Sequence, residues 1–123
     1  MILTIGILLI IIAGLAESGK DTLAHHFEDS VFSKLNPQFW NPFLSGANKW
    51  KGGNRDNGEK FFLSSTLLVG VTEAWHLFKM ISTACIFSGI GLSVYSVGLW
   101  GVLGARVLYG IIFTLGYKYL RKN

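Results

Sequence analysis

Asp21 and His25 stand four residues apart, and Glu73 and His76 stand three apart. Either spacing puts a carboxylate and an imidazole on the same side of an α-helix, one turn from each other. Glu73-x-x-His76 is the arrangement by which helical carboxylate sites offer two ligands to one ion. Asp21 and His25 would add an oxygen and a nitrogen, giving a mixed metal set of Asp21, His25, Glu73 and His76 suited to Zn²⁺, Mn²⁺ or Fe²⁺. An ion so held activates water, so the expected chemistry is hydrolysis of a lipid or headgroup substrate, with Glu73 or Asp21 as general base. The competing reading takes Glu17, Asp21, Glu28 and Asp29 as the solvated face of an amphipathic helix, and Glu73 with His76 as an interfacial polar pair.

Whatever positions these residues is built for a bilayer. Half of the 123 residues are apolar and 15% are charged, against roughly a quarter charged in a soluble domain. The apolar residues gather in three stretches, Ile2 to Ala16, a region centred on Met80 to Val94, and Leu99 to Tyr117. The expected fold is all-α: one integral membrane domain with three transmembrane helices and an amphipathic cytoplasmic extension of the first. Its parts are a first span at about 2–18, a cytoplasmic helix and loop at about 19–60, a long helix carrying the second span at about 61–95, and a third span at about 98–118. The first run ends in Ala13-Gly14-Leu15-Ala16, which resembles a processing site, yet no Lys or Arg precedes it, and it reads as a retained anchor. Cys85 lies inside the second apolar stretch and reads as a small packing residue.

Charge sets the expected direction. Lys20, Lys34, Lys49, Lys51, Arg55 and Lys60 lie between the first two spans, and Lys118, Arg121 and Lys122 follow the third. Cytoplasmic flanks are rich in such residues, which places the N-terminus outside, the C-terminus inside and the protein in the inner membrane. The uncharged turn Tyr95 to Gly98 then faces outward. Trp75 to Tyr95 measures about 30 Å along a helix and Trp100 to Tyr117 about 26 Å, so interfacial aromatics fall at both ends of each span.

Drawn at about 100° per residue, a first helix continued past its span carries Glu17, Asp21, His25, Glu28 and Asp29 on one face, opposite Leu23, Phe27 and Val31. The second helix groups Ser65, Thr66, Thr72, Glu73 and His76 away from Leu68, Val71, Trp75 and Phe78. Both polar stripes come to the inner interface, which is the reason to join them into one site. Arg106 stands apart, within the third span and about 20 Å in height from Glu73. A charge there is a functional residue by default. Gly98, Gly101, Gly104 and Ala105 beside it allow close helix contact, and a homo-oligomer or a membrane-protein partner is the expected consequence.

Two further patterns bear on function. Phe39, Trp40, Phe43 and Trp50 alternate with basic residues, as in a nucleic-acid surface. Beside a membrane the same residues read as an interfacial belt facing lipid headgroups, and no nucleic-acid partner is expected. Gly14-Leu-Ala-Glu-Ser-Gly19-Lys20-Asp21 matches most of G-x-x-x-x-G-K-[ST] and resembles the phosphate loop of P-loop nucleotide kinases. Nothing after Asn36 supplies the further βα units such a fold requires, which leaves a P-loop-like nucleotide binder as a minor alternative.

Asp21-Thr22, His25, Asn41-Pro42, Gly58-Glu59-Lys60, Ser64-Ser65-Thr66 and Thr72-Glu73-Ala74-Trp75-His76-Leu77-Phe78 together resemble a pattern of small bacterial and phage integral membrane proteins, D-T-x-x-H followed by T-[DE]-x-W-H-L-F. The resemblance runs from about Asp21 to Met80 and implies a membrane protein, with no activity to carry over. The third span and Arg106 lie outside it. Two functions stay open: an enzyme acting at the membrane rim, and a non-enzymatic membrane subunit, channel or transport component in which the same polar residues hold helices together.

Overall fold

The structure is a computed structural model that describes residues Met1 to Arg121. Lys122 of the basic C-terminus lies outside the described residues. Five α-helices occur among them: α1 (Ile2–His26), α2 (Pro37–Trp40), α3 (Pro42–Ser45), α4 (Ala74–Val97) and α5 (Trp100–Leu120). Three of these, α1, α4 and α5, are long and apolar enough to cross a membrane, which is the build of a multi-pass membrane protein.

α1 is the central helix and packs against both α4 and α5. Its small residues make this possible. At Gly6 an added Cβ would stand 3.0 Å from Ser93 Oγ and 3.2 Å from the Gly89 carbonyl, and at Gly89 one would stand 2.8 Å from Ile10 Cγ1. On the side facing α5, Gly14 meets Ile112 at 2.9 Å, and Gly116 lies against Ser18. Lipid is as apolar as leucine, so close backbone approach of this kind does much of the work of association inside a bilayer.

The link between α4 and α5 is short because Gly98 takes φ +67°, a left-handed conformation that other residues adopt only with strain. Its N–H closes α4 on the Val94 carbonyl at 2.8 Å. Gly101 then passes the end of α4 so closely that a Cβ would stand 2.6 Å from the carbonyl carbon of Ser93. The turn is Gly98-Leu99, so of the expected turn Tyr95 to Gly98 the first three residues are the end of α4.

At the other end of the bundle, α1 runs on to His26 and stops where Ser30 Oγ donates to the Phe27 carbonyl at 2.7 Å and accepts from Phe32 N–H at 3.2 Å. Side-chain bonds of this sort offer the backbone an alternative to further helix. Val31 N–H donates to the Leu120 carbonyl at 3.1 Å and ties the chain to the end of α5. Leu23, Phe27, Phe32 and Ala74 form a buried core here, with Phe39, Trp40, Trp75, Phe78 and Leu120 packed on it. Phe32 stacks on Trp40 with ring centres 5.0 Å apart. Phe39 and Trp40 are thus partly buried against this core, while Phe43 is exposed.

Asn36-Pro37 and Asn41-Pro42 each start a one-turn helix. Asn36 Oδ1 accepts from Gln38 N–H at 3.0 Å and Asn41 Oδ1 from Phe43 N–H at 2.9 Å, with Pro at the first helical position. The expectation of a long helix from residue 61 is corrected. Residues 61–68 are turns and Val69–Val71 a single 3₁₀ turn, so α4 begins only at Ala74. The cause is local. Glu59 accepts from Leu63 N–H at 3.3 Å, from Ser65 N–H at 3.3 Å and from the Ser65 hydroxyl, holding Leu63 at φ +62°. Polar residues that bond backbone this way compete with the helix. Ser65, Thr66 and Glu73 consequently share no helical face.

Candidate functional site

Glu73 is the last residue before α4, and the loop closes over it. Asn48 Nδ2 donates to the Thr72 carbonyl at 2.8 Å, Lys60 Nζ to Asn48 Oδ1 at 2.6 Å, and Ser64 Oγ to the Lys49 carbonyl at 2.7 Å. These bonds pin the segment after α3 against the start of α4. Glu73 is left 5% exposed, at the wall of a cavity of about 270 Å³ lined by Ala24, Pro42, Ser45 and Trp75.

A carboxylate so buried needs a partner, and His76, three residues on in α4, supplies it. Nδ1 of His76 bonds Glu73 Oε1. An ionised carboxylate only accepts, so the ring donates from Nδ1 and its lone pair rests on Nε2. His76 also lines a groove of about 620 Å³ on the outer side of α4, where Lys79 stands beside Leu67, Met80, Ala84 and Phe87. The charges of Lys49 and Lys79 both act on the imidazole. The pair therefore joins a buried acid to a partly exposed base at the end of an apolar groove. Such a pair can take a proton from water or a hydroxyl, the carboxylate fixing the tautomer.

The expected union of this pair with Asp21 and His25 is corrected. Asp21 is engaged elsewhere, with Oδ1 3.6 Å from Lys20 Nζ, and His25 is exposed in the last turn of α1. Among the described residues no three His, Cys, Asp or Glu side chains come together as a metal-holding group. A shared height does not bring the two pairs into one group, since Asp21 turns to Lys20 and His25 to the exposed side of α1. His26, left out of the expected site, packs edge-on against Tyr117 at 5.5 Å.

A second polar centre, missed from the sequence, lies where all three spans meet. Lys20 pairs with Glu17 one turn earlier in α1, and its ammonium stands 5.8 Å from the ring centre of Trp75 in α4. Ser82 of α4, 3% exposed, donates to Glu17 Oε2 at 2.9 Å. Tyr109 of α5 sits beside Ser82 in the field of Glu17 and Lys20. The i, i+3 pair of Glu17 and Lys20 was visible in the sequence, but nothing there said that it turned inward.

This geometry also removes the phosphate loop. Gly14 to Thr22 is uninterrupted helix, its N–H groups committed to carbonyls one turn back. Gly19 is a packing residue whose Cβ would stand 3.0 Å from the Phe78 ring, and Lys20 already has its anions.

Arg106 remains as solitary as the sequence suggested. It is exposed on α5, and its guanidinium lies across Gly110, Nη1 being 2.9 Å from where a Cβ would stand. Insertion scales put the cost of such a charge at mid-helix at about 2.5 to 3.5 kcal/mol. No family model, curated protein or solved structure matches the chain.

Proposed function

We propose that this chain is a three-span protein of the inner membrane, N-terminus outside and C-terminus inside, that acts on an anionic lipid headgroup at the cytoplasmic rim. His76 Nε2 takes a proton from an attacking water while Glu73 holds the ring. The water oxygen bonds to the headgroup phosphorus as the P–O bond to the headgroup alcohol breaks, and the leaving oxygen takes the proton back from the imidazolium. Lys79 and Lys49 would hold the anion, and the groove beside Met80 and Phe87 would take part of an acyl chain. The observation that carries the reading is the buried Glu73 carboxylate bonded to a partly exposed imidazole at the end of an apolar groove.

The test uses purified protein in vesicles of phosphatidylethanolamine and phosphatidylglycerol, with lipid products followed by mass spectrometry. Turnover in the wild type, lost in His76→Ala and reduced in Glu73→Gln, with unfolding temperatures retained, supports the reading. Absence of turnover by the wild type from both lipids, with Zn²⁺, Mn²⁺ or Fe²⁺ added or not, overturns it.

A second reading, a non-enzymatic membrane subunit, is favoured by the centre of Glu17, Lys20, Ser82 and Tyr109, which ties the spans together. On that reading His76→Ala alters assembly and changes no lipid.

A further inference from the structure

Arg106 projects from the face of α5 turned away from α1 and α4, in an open groove of about 720 Å³ that it shares with Val107, Gly110, Ile111, Thr114 and Leu115. Two details set its depth and direction. Gly110, over which the guanidinium lies, has ten residues of α5 before it and ten after, so the charge is held at the middle of the helix, about 15 Å from either end. Arginine side chains in membrane helices normally reach for the nearer headgroup layer. Here the side chain leans away from the nearer end, marked by Trp100, toward the centre.

The surface around it is flattened. Gly110 has no side chain, and Thr114 donates its hydroxyl to the Gly110 carbonyl at 2.9 Å, which holds its side chain back against the helix. A glycine and a folded-back threonine on successive turns form the kind of notch a neighbouring helix backbone approaches closely.

A carboxylate is the natural counterion for such a charge, and among the described residues none of the acidic side chains stands beside it. Of the chain's seven acids, Glu17 and Asp21 are engaged by Lys20 on α1, and Glu28, Asp29, Asp56, Glu59 and Glu73 all lie between the end of α1 and the start of α4. A second copy meeting this one face to face would bring another Arg106 and no carboxylate at that height. A lipid phosphate lies at the helix ends, far from the centre of α5.

We infer that the outer face of α5 binds the transmembrane helix of a different protein, one that carries a carboxylate at mid-span, with Arg106 as the pairing cation and Gly110 as the contact point. The proposal is independent of any reaction at Glu73 and His76.

The experiment places full-length protein, labelled at its N-terminus, in phosphatidylcholine vesicles with acceptor-labelled polyleucine helices. One peptide bears a single central Asp and the other is leucine throughout; association is read by energy transfer. The Asp peptide should bind about tenfold more tightly than the leucine peptide. Arg106→Leu should abolish that preference, Arg106→Lys should retain part of it, and Gly110→Leu should weaken binding of the Asp peptide. Arg106 faces outward, so the variants should unfold at the wild-type temperature. Equal binding of the two peptides by the wild type overturns the proposal, as does a preference that survives Arg106→Leu. So does an Arg106-dependent association of the protein with itself, or with vesicles containing phosphatidylglycerol in place of either peptide.

Discussion

Ser82 of α4 donates its hydroxyl to Glu17 of α1 across the helix interface, Oγ to Oε2 at 2.9 Å. The bond gives the central helix a fixed rotational setting against its neighbour, because a charged carboxylate inside a bundle has few other donors to turn to. Glu17 meets Lys20 with one oxygen and Ser82 with the other.

Removing the hydroxyl should therefore cost more than a surface change. Ser82→Ala should destabilise by about 1.5 to 3 kcal/mol, the range for a hydrogen bond to a charged group. Thermal unfolding in detergent reads it; an unchanged unfolding temperature would show that the bond contributes nothing.

Lys20→Met leaves two carboxylates without their cation and should cost about 2 kcal/mol or more. The double variant Glu17→Leu, Lys20→Met should recover part of the loss, since it leaves a single acid, Asp21. A double variant worse than the sum of the single ones would contradict the pairing.

Glycines divide into those that are needed and those that are not. Gly101→Ala sets a methyl 2.6 Å from the Ser93 carbonyl carbon and Gly89→Ala sets one 2.8 Å from Ile10, so each should destabilise by about 1 to 3 kcal/mol. Gly91 and Gly104 have nothing within 4 Å, and alanine there should be neutral or mildly stabilising.

Glu59 gives the loop an acid-sensitive latch. The Ser65 hydroxyl, with the N–H groups of Ser65 and Leu63, holds its carboxyl below the ordinary value near 4.5. A group whose folded pKa is depressed adds stability above the unfolded value and loses it as pH falls through the folded one. The latch is thus closed at neutral pH and opens only below the usual carboxylate range. Hydrogen exchange at Leu63 and Ser65 should be slower in the wild type than in Glu59→Gln at pH 7, with the difference vanishing in strong acid. A difference that persists there would dismiss the latch.

The spans were readable because bilayer solvation imposes a run of apolar residues whatever packs on them. The break at Gly98 was readable, though three residues long on the α4 side, because a left-handed glycine and an uncharged turn go together. α1 itself runs as one helix from Ile2 to His26, and nothing along it marks off the separate amphipathic extension expected after residue 18. What escaped was anything decided by rotation about an axis. Asp21 and Glu73 have the right types and the right height, and still face different neighbours. Glu17 passed for part of a solvated stripe and Lys20 for a flanking charge, because a charged face looks the same in sequence whether it meets water or another helix. Residues 61–72 failed for a different reason: Glu59, outside the segment, captures its backbone, and helical periodicity cannot register a carboxylate several residues away.

The central place of α1 has a consequence for biosynthesis. It is made first, yet both of its neighbours lie beyond residue 73, so the ribosome adds most of the chain before the bundle can close. In that interval α1 sits among lipid with Glu17 and Lys20 uncovered. Their pairing within one helical turn lets the helix carry its own counterion while it waits for α4 and then α5.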